Sequence, residues 1–179
     1  MGRRAGVLVL ALALFLGLRP DPAAANSQGK SLEAGAPAPQ FTGVDLAGNP
    51  VDLAALAAKS RAVLVNFWGL RCGACLEEMP HLEALHEKHG KSGLVVIGVN
   101  VDGVPADLIR AHLPRIYGKI PPYTILPDEE LKVADLYKLT AAPLSVLVDS
   151  KGKIAYYHEG YAPGDEKELG SRVEKLLAP

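Results

Sequence analysis

Apolar and polar positions along this chain alternate with two different periods. Ala62 to Trp68 (AVLVNFW) and Leu94 to Val101 (LVVIGVNV) are dense apolar runs of strand length, and such runs fit a sheet covered on both faces. Cys72 to His89 places Met79, Leu82 and Leu85 at helical spacing and ends at Gly90, which predicts a helix. Val104 to Leu113 predicts a helix stopped by Pro114, Tyr123 to Leu126 a short strand, and Glu129 to Tyr137 a short helix. Leu144 to Asp149 and Ile154 to His158 read as two strands joined by the turn Ser150-Lys151-Gly152. Asp165 reads as the N-cap of a closing helix to Leu177. Upstream, Pro37 to Leu56 reads as a short hairpin leading into a turn of helix, with Gly48-Asn49-Pro50 at its turn. Strands alternate with helices, then come a hairpin and a final helix. The expected class is α/β, a sandwich with a mixed central β-sheet flanked by helices.

The N-terminus follows another logic. Arg3 and Arg4 precede an uncharged apolar run from Ala5 to Leu18, which Arg19, Pro20 and Asp21 end. Ala23-Ala24-Ala25 then offers a small-x-small cleavage site, so residues 1–25 have the anatomy of a secretory signal peptide. The run is shorter than the roughly 20 residues of a spanning helix, and an uncleaved anchor is the alternative. Residues 26–36 are polar and Gly/Ser/Ala-rich and read as a flexible linker. Residues 37–179 are left for one folded domain.

Composition narrows the function. Lys+Arg total 19 against 20 Asp+Glu, a net charge of −1, so the chain lacks the basic field of a general nucleic-acid binder. It has 2 cysteines, Cys72 and Cys75, too few and too close together for a disulfide-stapled scaffold. Export would carry them to an oxidising compartment, where a cysteine pair is either a structural bond or part of redox traffic.

The pair stands in Trp68-Gly69-Leu70-Arg71-Cys72-Gly73-Ala74-Cys75, where a buried strand gives way to a helix. At a helix N-terminus, unpaired N–H groups and the macrodipole favour a thiolate at Cys72. Cys75, three residues on, falls on the same helical face and within bonding reach. Gly73 and Ala74 are small and leave the first sulfur accessible. Thiol–disulfide exchange follows, with Cys72 attacking and Cys75 resolving the mixed disulfide. Competing readings are a structural disulfide, which would constrain the unfolded chain little, and a zinc site, which lacks a second cysteine pair. C-type haem attachment would need His where Leu76 stands. Cys72, Cys75 and a histidine could instead hold copper in a metallochaperone. The nearby histidines are His81, His86 and His89, whose spacing does not converge on the cysteines. No organic cofactor is needed for thiol exchange.

The run VLVNFWGLRCGACLEEMPHLEAL resembles the active-site segment of the thioredoxin superfamily, and in particular its exported TlpA/ResA/CcmG-like branch. APAPQFTGVDLAGNPVDLAAL is similar to that branch's N-terminal β-hairpin extension, and LTAAPLSVLVDSKGKIAYYHEG to its proline-strand-turn-strand module. The likeness spans about Ala36 to Leu177 and implies a thioredoxin-like sandwich. It implies that Cys72 is the nucleophile, that Cys75 resolves, and that Pro143 is a cis-proline facing them, so the Ala142–Pro143 bond should be cis. Only about 5–6% of X–Pro bonds are cis, which makes this expectation a sharp one. Ala142 would offer its backbone to a substrate strand. Glu78 matches an acidic residue beneath the active site that can raise the thiol pKa and pass protons to Cys75; a solvated helix carboxylate is the plainer reading of Glu78 and of Glu77. Trp68 matches a tryptophan that shields the pair or packs beside it, and with Ala142 it is a candidate substrate-binding residue. Pro80 matches a structural proline inside the helix.

Departures bear on the chemistry. Asn66 stands where cytosolic thioredoxins carry a buried Asp, and an amide cannot relay a proton as a carboxylate does. Ala74 replaces a common proline, Leu144 a common Thr after the cis-proline, and Arg71 puts a cation beside Cys72. A peroxidase of the redoxin group would want Thr where Gly69 stands. The resemblance implies an extracytoplasmic thiol–disulfide oxidoreductase acting on protein disulfides, recharged by a membrane thiol–disulfide electron donor. Its expected task is keeping haem-binding cysteines of apocytochromes, or a copper-centre assembly protein, reduced. Ile120-Pro121-Pro122-Tyr123 reads as a surface turn or as a border of the active site, and Tyr156, Tyr157 and Tyr161 as rim or sheet packing.

Overall fold

The computed structural model describes residues 32–178. Residues 1–25 and most of the linker read from the sequence lie outside that range. Among the described residues, a two-stranded hairpin, β1 (Thr42–Val44) and β2 (Pro50–Asp52), precedes α1 (Leu53–Lys59). The main run is β3 (Ala62–Trp68), α2 (Gly73–His89), β4 (Leu94–Asn100), α3 (Ala106–Tyr117), β5 (Thr124–Pro127) and α4 (Lys132–Leu136). The chain then forms β6 (Leu144–Asp149), β7 (Ile154–Glu159) and α5 (Asp165–Leu177).

The large sheet has the order β5-β4-β3-β6-β7. β3, β4 and β5 are parallel, whereas β6 runs antiparallel to β3 and β7 antiparallel to β6. Central β3 is buried at every position, as its unbroken apolar run requires. One face carries Leu64, Trp68, Val96 and Leu147 and is covered by Met79 and Leu82 of α2, Ile109 and Leu113 of α3, and Leu169 and Val173 of α5. The other face carries Val63, Val65, Phe67 and Val146 and meets Leu53 and Ala57 of α1 with Val133 and Tyr137 at α4. This is the mixed α/β sandwich of the thioredoxin-like fold, with the hairpin as its N-terminal extension.

Local signals explain the element ends. The Asp52 carboxylate caps α1 by accepting from the Ala55 N–H at 3.0 Å. Buried Asp128 accepts from Val133 and Ala134 N–H groups at 3.1 and 2.7 Å and so starts α4. Three expectations need correction. Pro114 does not stop α3, which runs on to Tyr117; buried Ile109 and Leu113 hold the helix, and Gly118, at φ 88°, supplies the left-handed cap that ends it. Asp165 is the first helical residue of α5, and Gly164 is the N-cap, at a φ of 115° that only glycine adopts easily. The end of the expected linker is tied down: Gly35 N–H donates to Ile154 C=O at 2.7 Å, Ile154 N–H to Ala36 C=O at 2.9 Å, and Leu32 packs against the core.

Candidate active site

Sheet pairing assembles the site. β3 delivers the chain to the start of α2, and β6 lies beside it with Leu144 opposite Phe67. The residue before β6 is Pro143, so the proline comes to rest against the end of β3. The Ala142–Pro143 bond is cis, as expected. Gly160 N–H donates to the Pro143 carbonyl at 2.7 Å and ties this corner to the end of β7.

Cys72 is the N-cap of α2, and its Sγ accepts from the Cys75 N–H at 3.2 Å. This is the predicted placement at the helix N-terminus, where N–H groups stabilise negative charge on sulfur. Cys72 and Cys75 form a disulfide. The two sulfurs differ in access: Cys72 is half-buried, whereas Cys75 is 1% exposed. Cys72 Sγ also lies 3.6 Å from the Ala142 carbonyl oxygen, so the residue before the cis-proline faces the outer sulfur.

The loop before Cys72 has a support that sequence reasoning missed. The Asp102 carboxylate, just past β4, accepts from Leu70 N–H and from Asn100 Nδ2, both at 2.7 Å. A Cβ on Gly69 would sit 3.1 Å from Asp102 Oδ1, so glycine fits this close approach. The signal was an Asn-Val-Asp run ending a strand, legible as a turn but not as a contact with a loop 32 residues away.

Glu78 lies beneath the site and is 4% exposed. Its carboxylate accepts from Asn66 Nδ2 and from Ser145 Oγ, both at 2.9 Å. Asn66 donates also to Ser145 Oγ at 3.0 Å. Burial pushes the Glu78 pKa above its ordinary value, while the two hydrogen bonds pull it back. Asn66, which stands where thioredoxins carry a carboxylate, serves here as a hydrogen-bond donor to Glu78. Ser145 was missed; its only sequence signal is a hydroxyl in an otherwise apolar strand. Glu77 is exposed, in keeping with a solvated helix carboxylate.

Trp68 is fully buried in the same apolar cluster as Cys75, so it presents no surface to a substrate. Tyr123 joins that cluster, whereas Ile120 is exposed. The three helix histidines diverge. His81 faces the Tyr161 ring, His86 the Tyr123 ring, and His89 approaches Glu174. Among the described residues, no group of three or more His, Cys, Asp or Glu is placed to hold a metal ion.

Two sulfurs that differ in access, poised where a helix begins in a thioredoxin-like sheet, define the class of thiol–disulfide oxidoreductases. The chain belongs to the Redoxin family, whose model matches residues 33–173. It is 35% identical over 146 residues to the thiol-disulfide oxidoreductase ResA of Halalkalibacterium halodurans, covering 82% of this chain and 78% of that one. It is similar to a thiol:disulfide interchange protein from Bacteroides sp., with a TM-score of 0.65 and 32% identity over 83% of this chain and 92% of that one. It also resembles the thioredoxin domain of a thiol-disulfide oxidoreductase from Bacteroides vulgatus, with a TM-score of 0.67 and 29% identity over 83% of this chain and all of that one. The chain is a TlpA/ResA/CcmG-like member of the thioredoxin superfamily and a thiol–disulfide oxidoreductase.

Proposed function

We propose that the chain is exported and reduces protein disulfides outside the cytosol, with Cys72 as the attacking thiolate and Cys75 as the resolving thiol. The observation that carries this division of labour is the difference in access: a half-buried Cys72 sulfur on the helix N-cap against a Cys75 that is 1% exposed. Cys72 attacks a partner disulfide, and one partner sulfur leaves as a thiolate. Cys75 then attacks Cys72 Sγ, the partner's second sulfur departs, and the pair ends as the intramolecular disulfide. Two electrons pass from the dithiol to the partner.

Ala142 and Pro143 form the ledge for the substrate strand, because the Ala142 carbonyl lies beside the outer sulfur. Glu78 takes the proton of Cys75, for which burial removes direct access to water. Export is supported by the basic, apolar and small-residue order of residues 1–25. The partners that suit such a protein are apocytochrome haem-binding cysteines or a copper-centre assembly protein, with a membrane dithiol donor restoring the reduced state. The copper-carrier reading is disfavoured by the divergence of His81, His86 and His89 from the cysteines.

The test is partner trapping in the exporting cell. Cys75→Ser should accumulate a mixed disulfide through Cys72 with a small set of extracytoplasmic proteins, and Cys72→Ser should accumulate none. Equal trapping by both variants would reverse the assignment of attacker and resolver.

A further inference from the structure

The resolving step must remove a proton from a sulfur sealed in the core. Cys75 is 1% exposed and Glu78 4% exposed, so neither reaches solvent directly. One row of polar residues crosses the apolar face of the sheet at this level. Asn66 of β3 stands opposite Ser145 of β6, and Ser145 stands opposite His158 of β7. Glu78 descends onto this row from α2 and accepts from its first two members. A cavity of about 10 Å³, room for about one water, borders Glu78, Ser145 and His158. His158 Nε2 lies 3.1 Å from Asp165 Oδ2, and both side chains are partly open to solvent, at 38% and 37%.

We propose that His158, seated on Asp165, is the port through which the proton of Cys75 leaves the protein, by way of Glu78 and one water in this cavity. The inference rests on the reading of Glu78 as proton acceptor. In the mixed disulfide, the Cys75 S–H gives its proton to the Glu78 carboxylate, and the freed electron pair attacks Cys72 Sγ. The Cys72–Cys75 bond forms, and the bond from Cys72 to the partner breaks. Its electron pair goes to the partner sulfur, which leaves as a thiolate and is protonated by solvent. Protonated Glu78 then passes its proton through the water to the ring nitrogen of His158 that does not face Asp165, while Nε2–H stays on the Asp165 carboxylate, and the imidazolium releases a proton to bulk. One proton leaves and one is consumed, so the step balances. Imidazole suits the post because one ring nitrogen can accept a proton while the other gives one up.

The charged surroundings are mixed. His81 reaches the cavity from α2, Tyr156 and His158 from β7, and Asp165 and Glu166 from α5. Arg172 of α5 lies over the Tyr156 ring at 5.3 Å. The Asp165 carboxyl is held below its ordinary range, first by the Ala162 N–H and then by His158. It therefore stays anionic and holds the ring in place. His158 touches neither sulfur; it acts through Glu78.

Rapid mixing of the reduced protein with a small aromatic disulfide, whose released thiolate absorbs visible light, separates the two steps. The first burst reports attack by Cys72 and the second reports resolution by Cys75. His158→Gln should leave the first burst unchanged and slow the second about tenfold at neutral pH, with recovery at alkaline pH where hydroxide takes the proton. Free imidazole should restore the second burst in His158→Ala. His112→Gln, at an exposed position of α3, should alter neither. The proposal is overturned if His158→Gln resolves at the wild-type rate while Glu78→Gln is slow. It is overturned equally if both bursts slow together, which marks a structural role for the ring. If Glu78→Gln also resolves normally, the role of Glu78 falls and the port falls with it.

Discussion

Glu78 shows how one buried carboxyl is kept in a mostly apolar protein. Desolvation would drive it neutral, and the Asn66 and Ser145 donors make its ionised form tolerable. Its folded-state pKa is raised above the ordinary 4.5, so between that value and the raised one the native state binds more protons than the unfolded state. Stability should therefore fall as pH rises through that window. Glu78→Gln removes the titrating group while keeping its shape and most of its hydrogen bonding. The variant should be more stable than the wild type at neutral pH, and its stability should vary less between pH 5 and pH 8, as read by urea unfolding across that range. A wild-type stability that rises with pH over the same interval, with no difference in the variant, would contradict this account. The chemical candidate was legible in the sequence because Glu78 matches an acidic residue in the active-site segment of the family that the chain resembles. Its partners were not, because Asn66 and Ser145 are 12 and 67 residues away and meet it only across β3 and β6.

Elements here are set by apolar runs and finished by close contacts. β3 and β4 were readable end to end as buried strands, and the structure gives the same seven residues for β3. What the runs do not show is how tightly adjoining side chains meet. Gly98 in β4 leaves space for three groups: a Cβ there would lie 3.1 Å from Trp68 Nε1, Tyr123 Cε2 and Ile125 Cδ1. Gly98→Ala should destabilise the protein by about 1–3 kcal/mol through overpacking, read as a lower urea midpoint with an unchanged slope. An unchanged midpoint would mean that the two rings move aside freely. α3 carries the opposite lesson. Pro114 looked like a terminus because it lacks an N–H and crowds the preceding turn. The buried face of the helix outweighs that local penalty, and the stop is made by Gly118.

At the scale of the whole fold, the described residues just before β1 are sewn to the sandwich. Tyr137, 1% exposed, donates its hydroxyl to the Pro39 carbonyl at 2.9 Å while its ring meets Phe41 edge-on and tilts against Phe67. Ala38 N–H donates to Gly152 C=O at 2.9 Å on the β6–β7 turn. Tyr137→Phe removes the donor to the partly buried Pro39 carbonyl at a cost of about 1 kcal/mol. Hydrogen exchange should then speed up at the Ala38 amide more than at β3 amides; equal acceleration everywhere would mean that the segment does not open separately. The sequence marked Tyr137 as the end of a short helix and carried no sign that its ring would meet Phe41.

Periodicity and spacing determined the order of elements, the α/β class and the placement of Cys72 at a helix start, and the resemblance to the thioredoxin superfamily implied the cis bond before Pro143. These depend on short-range sterics, on burial of contiguous apolar runs, or on a motif whose residues lie together in the chain. Tertiary structure alone decided the contacts between distant residues: Asp102 bracing Leu70, Ser145 and Asn66 serving Glu78, and the polar row reaching His158. Strand pairing brings these groups together, and the register of that pairing is a property of the whole sheet, which no local stretch of sequence specifies.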